Sequence, residues 1–224
     1  MSTLDDFTGA FGDWTPQAVV FDCDGLLLDT ESIWGRTQER VIEAIGARLH
    51  PEDEQTLHGS ALDVAAALLA ERSGAPEREV IDQLHEVFDQ ELSAGIHPMP
   101  GAVAVVEAAA ARVPLGCASN SWLEALEGKL TTGGLREHFT VLHAADTVES
   151  PKPAPDMYAA AARDLGVAPH SALALEDSGT GARAAREAGL RLIAVPTSEG
   201  EPPVADLTLR SLEQPGLLDW IATW

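Results

Sequence analysis

The chain has 224 residues, 22% charged and 45% hydrophobic, enough to bury a full core as one large domain or a domain with an insert. Its formal charge of −22 and pI near 4.4 argue against nucleic acid or an anionic membrane surface as the main partner, because both bind through basic patches. Cys23 and Cys117 are the only cysteines, and both fall in apolar runs, so neither a disulfide framework nor a cysteine metal site is expected.

Residues 1–15 lack the basic and apolar segments of a secretory signal and read as a loosely held tail. No apolar run reaches the length of a membrane span, and the expected location is the cytoplasm. Residues 17–23, QAVVFDC, form a short apolar run predicted as a buried strand. From Glu31 to about Gly95 the pattern turns helical: Ile81, Leu84, Phe88 and Leu92 recur at three- and four-residue spacing, and LDVAAALLAERSG ends in a glycine stop. After the break at 97–102, strands predicted at 113–119, 140–145, 171–177 and 190–196 alternate with helices at 101–111, 121–132, 154–165 and 180–188. That alternation predicts βαβ units and a parallel sheet, which the first strand must join from across the helical stretch.

Three of these strands end in polar groups: Asp22 and Asp24 after the first, Ser119 and Asn120 after VPLGCA, and Glu176 and Asp177 after SALAL. Lys152, in SPKPAPDMY, lies between the last two. Ligands of open parallel sheets bind beyond the carboxyl ends of the strands, so these groups are candidates for one pocket. Four carboxylates make a hard-cation site suited to Mg²⁺, while a hydroxyl, helix-start N–H groups and a lysine suit phosphate. Taken singly, Ser119 with Asn120 or Glu176 with Asp177 could equally cap the next helix.

The four segments resemble the four motifs of the haloacid dehalogenase-like hydrolase superfamily: DCDGLLLDTE, ASNS, SPKPAPDMY and LALEDSGTGARAAREAG, in that order across about residues 17–200. The detail is similar to the group holding β-phosphoglucomutase and sugar-phosphate phosphatases. The resemblance implies an α/β fold with a Rossmann-like parallel sheet core at 16–29 and 98–224, and a helical cap domain inserted at 30–97. It implies Asp22 as a nucleophile forming an aspartyl-phosphate and Asp24 as the acid–base group. It further implies Ser119, Asn120 and Lys152 on the phosphoryl group. Mg²⁺ would sit on Asp22, the Asp24 backbone carbonyl and Asp177, with Glu176 a direct or indirect partner. Asp29 and Glu31 would flank the entry to the cap, with Glu31 a candidate helix cap; His58 and Ser60 fall where related caps carry a substrate loop. Related mutases place a histidine where Trp34 stands, and core packing is the expectation for Trp34. The implied activity is Mg²⁺-dependent hydrolysis of a small phosphorylated metabolite such as a sugar or sugar-alcohol phosphate, by a monomer or weak homodimer; a phosphosugar mutase is the alternative.

Overall fold

The computed structural model describes residues 4–57, 60–197 and 202–224. The chain divides into two compact units: one runs up to Leu28 and resumes at His97, and the other is Asp29–Ile96. No helix among the described residues is long and apolar enough to cross a membrane.

In chain order, α1 (Leu4–Phe11) and β1 (Ala18–Phe21) precede four helices of the second unit: α2 (Thr30–Ile45), α3 (Pro51–Leu57), α4 (Leu62–Ser73) and α5 (Glu77–Ala94). The first unit then continues with α6 (Ala102–Ala110), β2 (Leu115–Ala118), α7 (Leu123–Thr132), β3 (Val141–His143) and α8 (Asp156–Asp164). It ends with β4 (Ala172–Glu176), α9 (Gly179–Glu187), β5 (Arg191–Ala194), β6 (Leu207–Thr208) and α10 (Leu217–Ile221).

The six strands form one parallel sheet in the order β3-β2-β1-β4-β5-β6. β1 is central, with Phe21 opposite Cys117 on one side and Leu175 on the other. A strand covered on both faces gains from being apolar throughout, and every residue of β1 and β4 is buried. Because β1 is followed on one side by β2 and on the other by β4, the strand order reverses at β1. That reversal opens a crevice at the carboxyl ends of those three strands.

The N-terminal segment is not a loose tail. Within α1, Phe7 and Phe11 are buried and stack on Trp220 of α10, with centroids 5.1 and 4.8 Å away. Trp14 stacks on Phe11 and Trp224 meets Trp220 edge-on. These rings bury area that a free tail would leave in water, so the first unit begins before residue 16. The short β6 and α10 were likewise not anticipated.

The Asp29–Ile96 unit has its own core of Val41, Leu57, Ala65, Ala66, Leu69, Val80 and Leu84. Asp29 caps α2, its carboxylate accepting a bond from the Ser32 amide at 3.0 Å. Arg72 of α4 grips Asp53 of α3 through two bonds of 2.6 and 2.9 Å, and Asp53 also accepts from the His50 amide. Trp34 packs edge-on to Phe88 and donates its indole N–H to the Ser60 carbonyl at 2.8 Å.

Candidate active site

Backbone ladders carry the strand ends into the crevice. The Asp22 amide bonds the Leu175 carbonyl at 3.0 Å, and the Ser119 amide bonds the His143 carbonyl at 3.0 Å, each one step past its strand. Glu176 closes β4, and Ser178 caps α9 by accepting from the Gly181 amide. Four of the expected residues therefore meet in one place: Asp22, Lys152, Glu176 and Asp177.

Lys152 holds that cluster together. Its ammonium, almost wholly buried, donates to Asp22 Oδ1 at 2.6 Å, to Glu176 Oε1 at 2.6 Å and to the Ala118 carbonyl at 2.8 Å. Burial alone would lower its pKa, but the Asp22 and Glu176 charges outweigh it and raise it, so Lys152 stays a cation. Glu176 is fully buried and accepts four bonds: from Lys152 and the Tyr158 hydroxyl on Oε1, and from the Ser178 amide and hydroxyl on Oε2. Asp22 Oδ2, by contrast, has no hydrogen-bond donor among the described residues.

Asp22 is under electrostatic pressure. Burial pushes its carboxyl well above the ordinary value, Lys152 opposes this, and the charges of Glu176, Asp177 and Asp24 push it further up. Burial likewise pushes Asp177 up to about 6, although the Thr197 hydroxyl donates to it at 2.9 Å. Oxygens of Asp22, Glu176 and Asp177 lie within 4.8 Å of one another, an all-oxygen set suited to a hard cation. Glycines make room for them. Gly25 has φ of +83°, and a Cβ there would lie 2.3 Å from Asp177 Oδ2; a Cβ on Gly181 would lie 1.7 Å from Glu176 Oε1.

Asp24 stands in a separate set of contacts. Ser119 donates to its Oδ2 at 2.7 Å, Ser121 to the same oxygen at 3.2 Å, and Lys129 of α7 forms a close ion pair with Oδ1. Burial would raise the Asp24 carboxyl, but the Lys129 charge and the bonds from Lys129, Ser119 and Ser121 bring it below its ordinary value. Asp24 is thus an anion in this conformation. Counted at formal charge, four carboxylates face two ammonium groups, an excess of two negative charges that a divalent cation would balance and whose repulsion is what pushes Asp22 further up.

Asn120 does not point its amide at either cluster. It clamps the backbone of Lys152, donating to its carbonyl and accepting from its amide, each at 3.0 Å. Ser60 belongs to the helical unit, bonded to Trp34 and Gln38, and His58 lies outside the described residues. Sequence reasoning missed Lys129, Tyr158, Ser121, Ser178 and Thr197. Lys129 alone left a visible signal, a charge in phase with the apolar Leu126 and Leu130 of α7.

A family model described as haloacid dehalogenase-like hydrolase matches residues 19–195, the stretch that contains Asp22, Ser119, Lys152 and Asp177. Hexitol phosphatase B of Escherichia coli (strain K12) is 34% identical over 210 residues, spanning 88% of this chain and 93% of that protein. Fructose-1-phosphate phosphatase of the same strain is 30% identical over 179 residues, spanning 79% and 95%. The crystal structure of CbbY from Rhodobacter sphaeroides in complex with phosphate superimposes with a TM-score of 0.71 at 30% identity, over 89% of this chain and 96% of that one.

Proposed function

We propose that this chain, which belongs to the haloacid dehalogenase-like hydrolase family, is a Mg²⁺-dependent phosphatase of a small sugar or sugar-alcohol phosphate. The observation that carries the reading is Asp22: a buried carboxylate with one oxygen fixed by Lys152 and the other without a donor among the described residues, at the crevice where the strand order reverses. The printed names of two relatives, a hexitol phosphatase and a fructose-1-phosphate phosphatase, support the substrate class.

The free oxygen of Asp22 attacks phosphorus, forming an acyl phosphate as the ester oxygen leaves. Asp24, an anion before substrate arrives, takes a proton from solvent as the substrate's negative charge enters the site, then delivers it to that oxygen, and the product alcohol departs. Asp24, now an anion held as the structure has it, takes a proton from water as the water attacks the acyl phosphate. Inorganic phosphate leaves and Asp22 returns as a carboxylate. Lys152 fixes the nucleophile and places positive charge beside the transferring group, with Glu176 and Tyr158 fixing Lys152 in turn. The helix start that follows Ser119 supplies N–H donors to the phosphoryl oxygens, while the Ser119 hydroxyl holds Asp24. Asn120 serves by tying down the Lys152 backbone.

Asp22, Asp177 and the Asp24 carbonyl would hold Mg²⁺, which supplies charge neutralisation between the carboxylates and an incoming phosphate. Glu176 already accepts four bonds and is better employed orienting Lys152 than ligating. The Asp29–Ile96 unit is the cap that selects the substrate, a role in keeping with loop-borne specificity on a rigid core.

The test is phosphate release across a panel of phosphorylated sugars, sugar alcohols and other small metabolites, with Mg²⁺ and with chelator. Turnover of hexose or hexitol phosphates that disappears with chelator is expected. Full turnover with chelator would overturn the metal role. Conversion of β-glucose 1-phosphate to the 6-phosphate without phosphate release would replace the phosphatase by a mutase.

A further inference from the structure

Lys129 is a buried cation that the reaction above does not use. It lies in the second turn of α7, between Leu126 and Leu130, which are fully buried, and is itself only 3% exposed. Its ammonium reaches two side chains, the Asp24 carboxylate and the Ser121 hydroxyl, the latter at 2.6 Å. A leucine or methionine at this helix position would continue the apolar face at no electrostatic cost. Buried ion pairs gain little or nothing in stability over apolar residues of similar volume, so stability gives no reason for a lysine here.

Asp24 does give a reason. It is the less enclosed partner, its side chain 34% exposed against 4% for Lys129, and it lies just before Gly25, in the turn out of β1. Left alone, such a carboxylate would sample several rotamers in contact with water. Here both oxygens are assigned: Oδ1 to Lys129, Oδ2 to Ser119 and Ser121. Lys129 also fixes the Ser121 hydroxyl, so one ammonium holds Asp24 directly and through a second donor. All three donors come from one contiguous piece, the turn after β2 and the helix that it starts.

We propose that Lys129 is a positioning residue for the reaction: it anchors the Asp24 carboxylate from beneath, so that Asp24 stands ready toward the leaving oxygen and the attacking water. The proposal rests on Asp24 being the acid–base group. It requires no contact between Lys129 and the substrate. Misplacing a proton-transfer group by an ångström costs rate even when binding is untouched, and the loss is confined to steps that need the proton.

The experiment is a double-mutant cycle on Lys129→Met and Asp24→Asn, read on an alkyl monophosphate and on p-nitrophenyl phosphate, whose leaving group needs little protonation. Lys129→Gln, which keeps a neutral donor, is carried in parallel and replaces Lys129→Met should that variant not fold. With the alkyl ester, Lys129→Met is expected to lower kcat by roughly 10- to 100-fold, part of the range for a whole acid–base group, with little change in KM. The first-turnover burst of p-nitrophenolate should stay within about twofold of wild type, which also reports an intact nucleophile and fold. In the Asp24→Asn background, Lys129→Met should add nothing further, because its effect passes through the missing carboxylate. Losses that multiply in the double variant, or an equal loss of burst and alkyl turnover, would overturn the proposal while leaving the phosphatase reading in place. If Asp24→Asn alone turned over the alkyl ester normally, the acid–base role and the proposal would both fall.

Discussion

At Asp22, catalysis and stability pull in opposite directions. Burial and three neighbouring carboxylates push its pKa up, and Lys152 alone works against them. A carboxyl whose pKa is raised on folding binds its proton more tightly in the folded than in the unfolded state. With chelator present, its contribution therefore stabilises at low pH and is lost as pH rises from the ordinary carboxylate range toward the raised value. Asp22→Asn removes the anion and keeps the shape. Turnover and acyl phosphate should vanish, while the melting temperature in chelator at neutral pH should rise, by roughly 2–4 °C for each kcal/mol relieved. Melting curves of both proteins against pH would check this. An Asn variant less stable than wild type would mean that the Lys152 ion pair outweighs the crowding.

The element with the clearest acid sensitivity lies in the helical unit. Asp53 of α3 receives two bonds from Arg72 of α4 and one from the His50 amide, and these hold its carboxyl down to about 2 from 3.8. A pKa lowered on folding has the opposite sign to that of Asp22. The contribution is complete above about pH 4 and is lost as pH falls through that value toward 2. An acid titration by circular dichroism should show helix loss beginning in this window, and Asp53→Asn should lose stability at neutral pH but show less further loss on acidification. Equal acid slopes in both proteins would show that this clamp does not govern the unit. Of the helices in this unit, α4 was legible in LDVAAALLAERSG with its glycine stop and α5 in its three- and four-residue spacing, whereas α3 was not marked separately. Legible too were β1, β2, β4 and β5, whose unbroken apolar runs suit strands covered on both faces. What escaped was non-local. Phe7 and Phe11 are two rings in a short polar segment until Trp220, at the other end of the chain, stacks on them. Asp22, Asp24, Ser119, Glu176 and Asp177 stood out because strand ends concentrate them, and Lys152 because of its SPKPAPDMY setting between two such ends. Lys129 and Tyr158 did not, because a lysine or tyrosine on a helix is ordinary until its partner is known.

At the scale of the molecule, two kinds of negative charge have to be separated. The chain carries a formal charge of −22, most of it spread over solvated surface, and this repels itself in the folded state. Added NaCl shortens the screening length from about 10 Å at 0.1 M to about 3 Å at 1 M, so stability should rise with salt whatever the site does. The excess of two charges at the strand ends is different, being local, partly enclosed and beyond the reach of diffuse screening. Mg²⁺ added at constant ionic strength should therefore raise the melting temperature further than Na⁺ does. A ligand at a hundred times its Kd stabilises by about 2.7 kcal/mol, which for a chain of this length is roughly 5–10 °C. Asp177→Asn should keep the response to NaCl and lose most of the increment from Mg²⁺, since it removes a carboxylate of the cluster and leaves the surface unchanged. Thermal melts of both proteins in matched NaCl and MgCl₂ would decide the matter without any substrate. Equal Mg²⁺ increments in the two proteins would show that the cation acts on the diffuse charge, and that Asp22 and Asp177 do not bind it as a site.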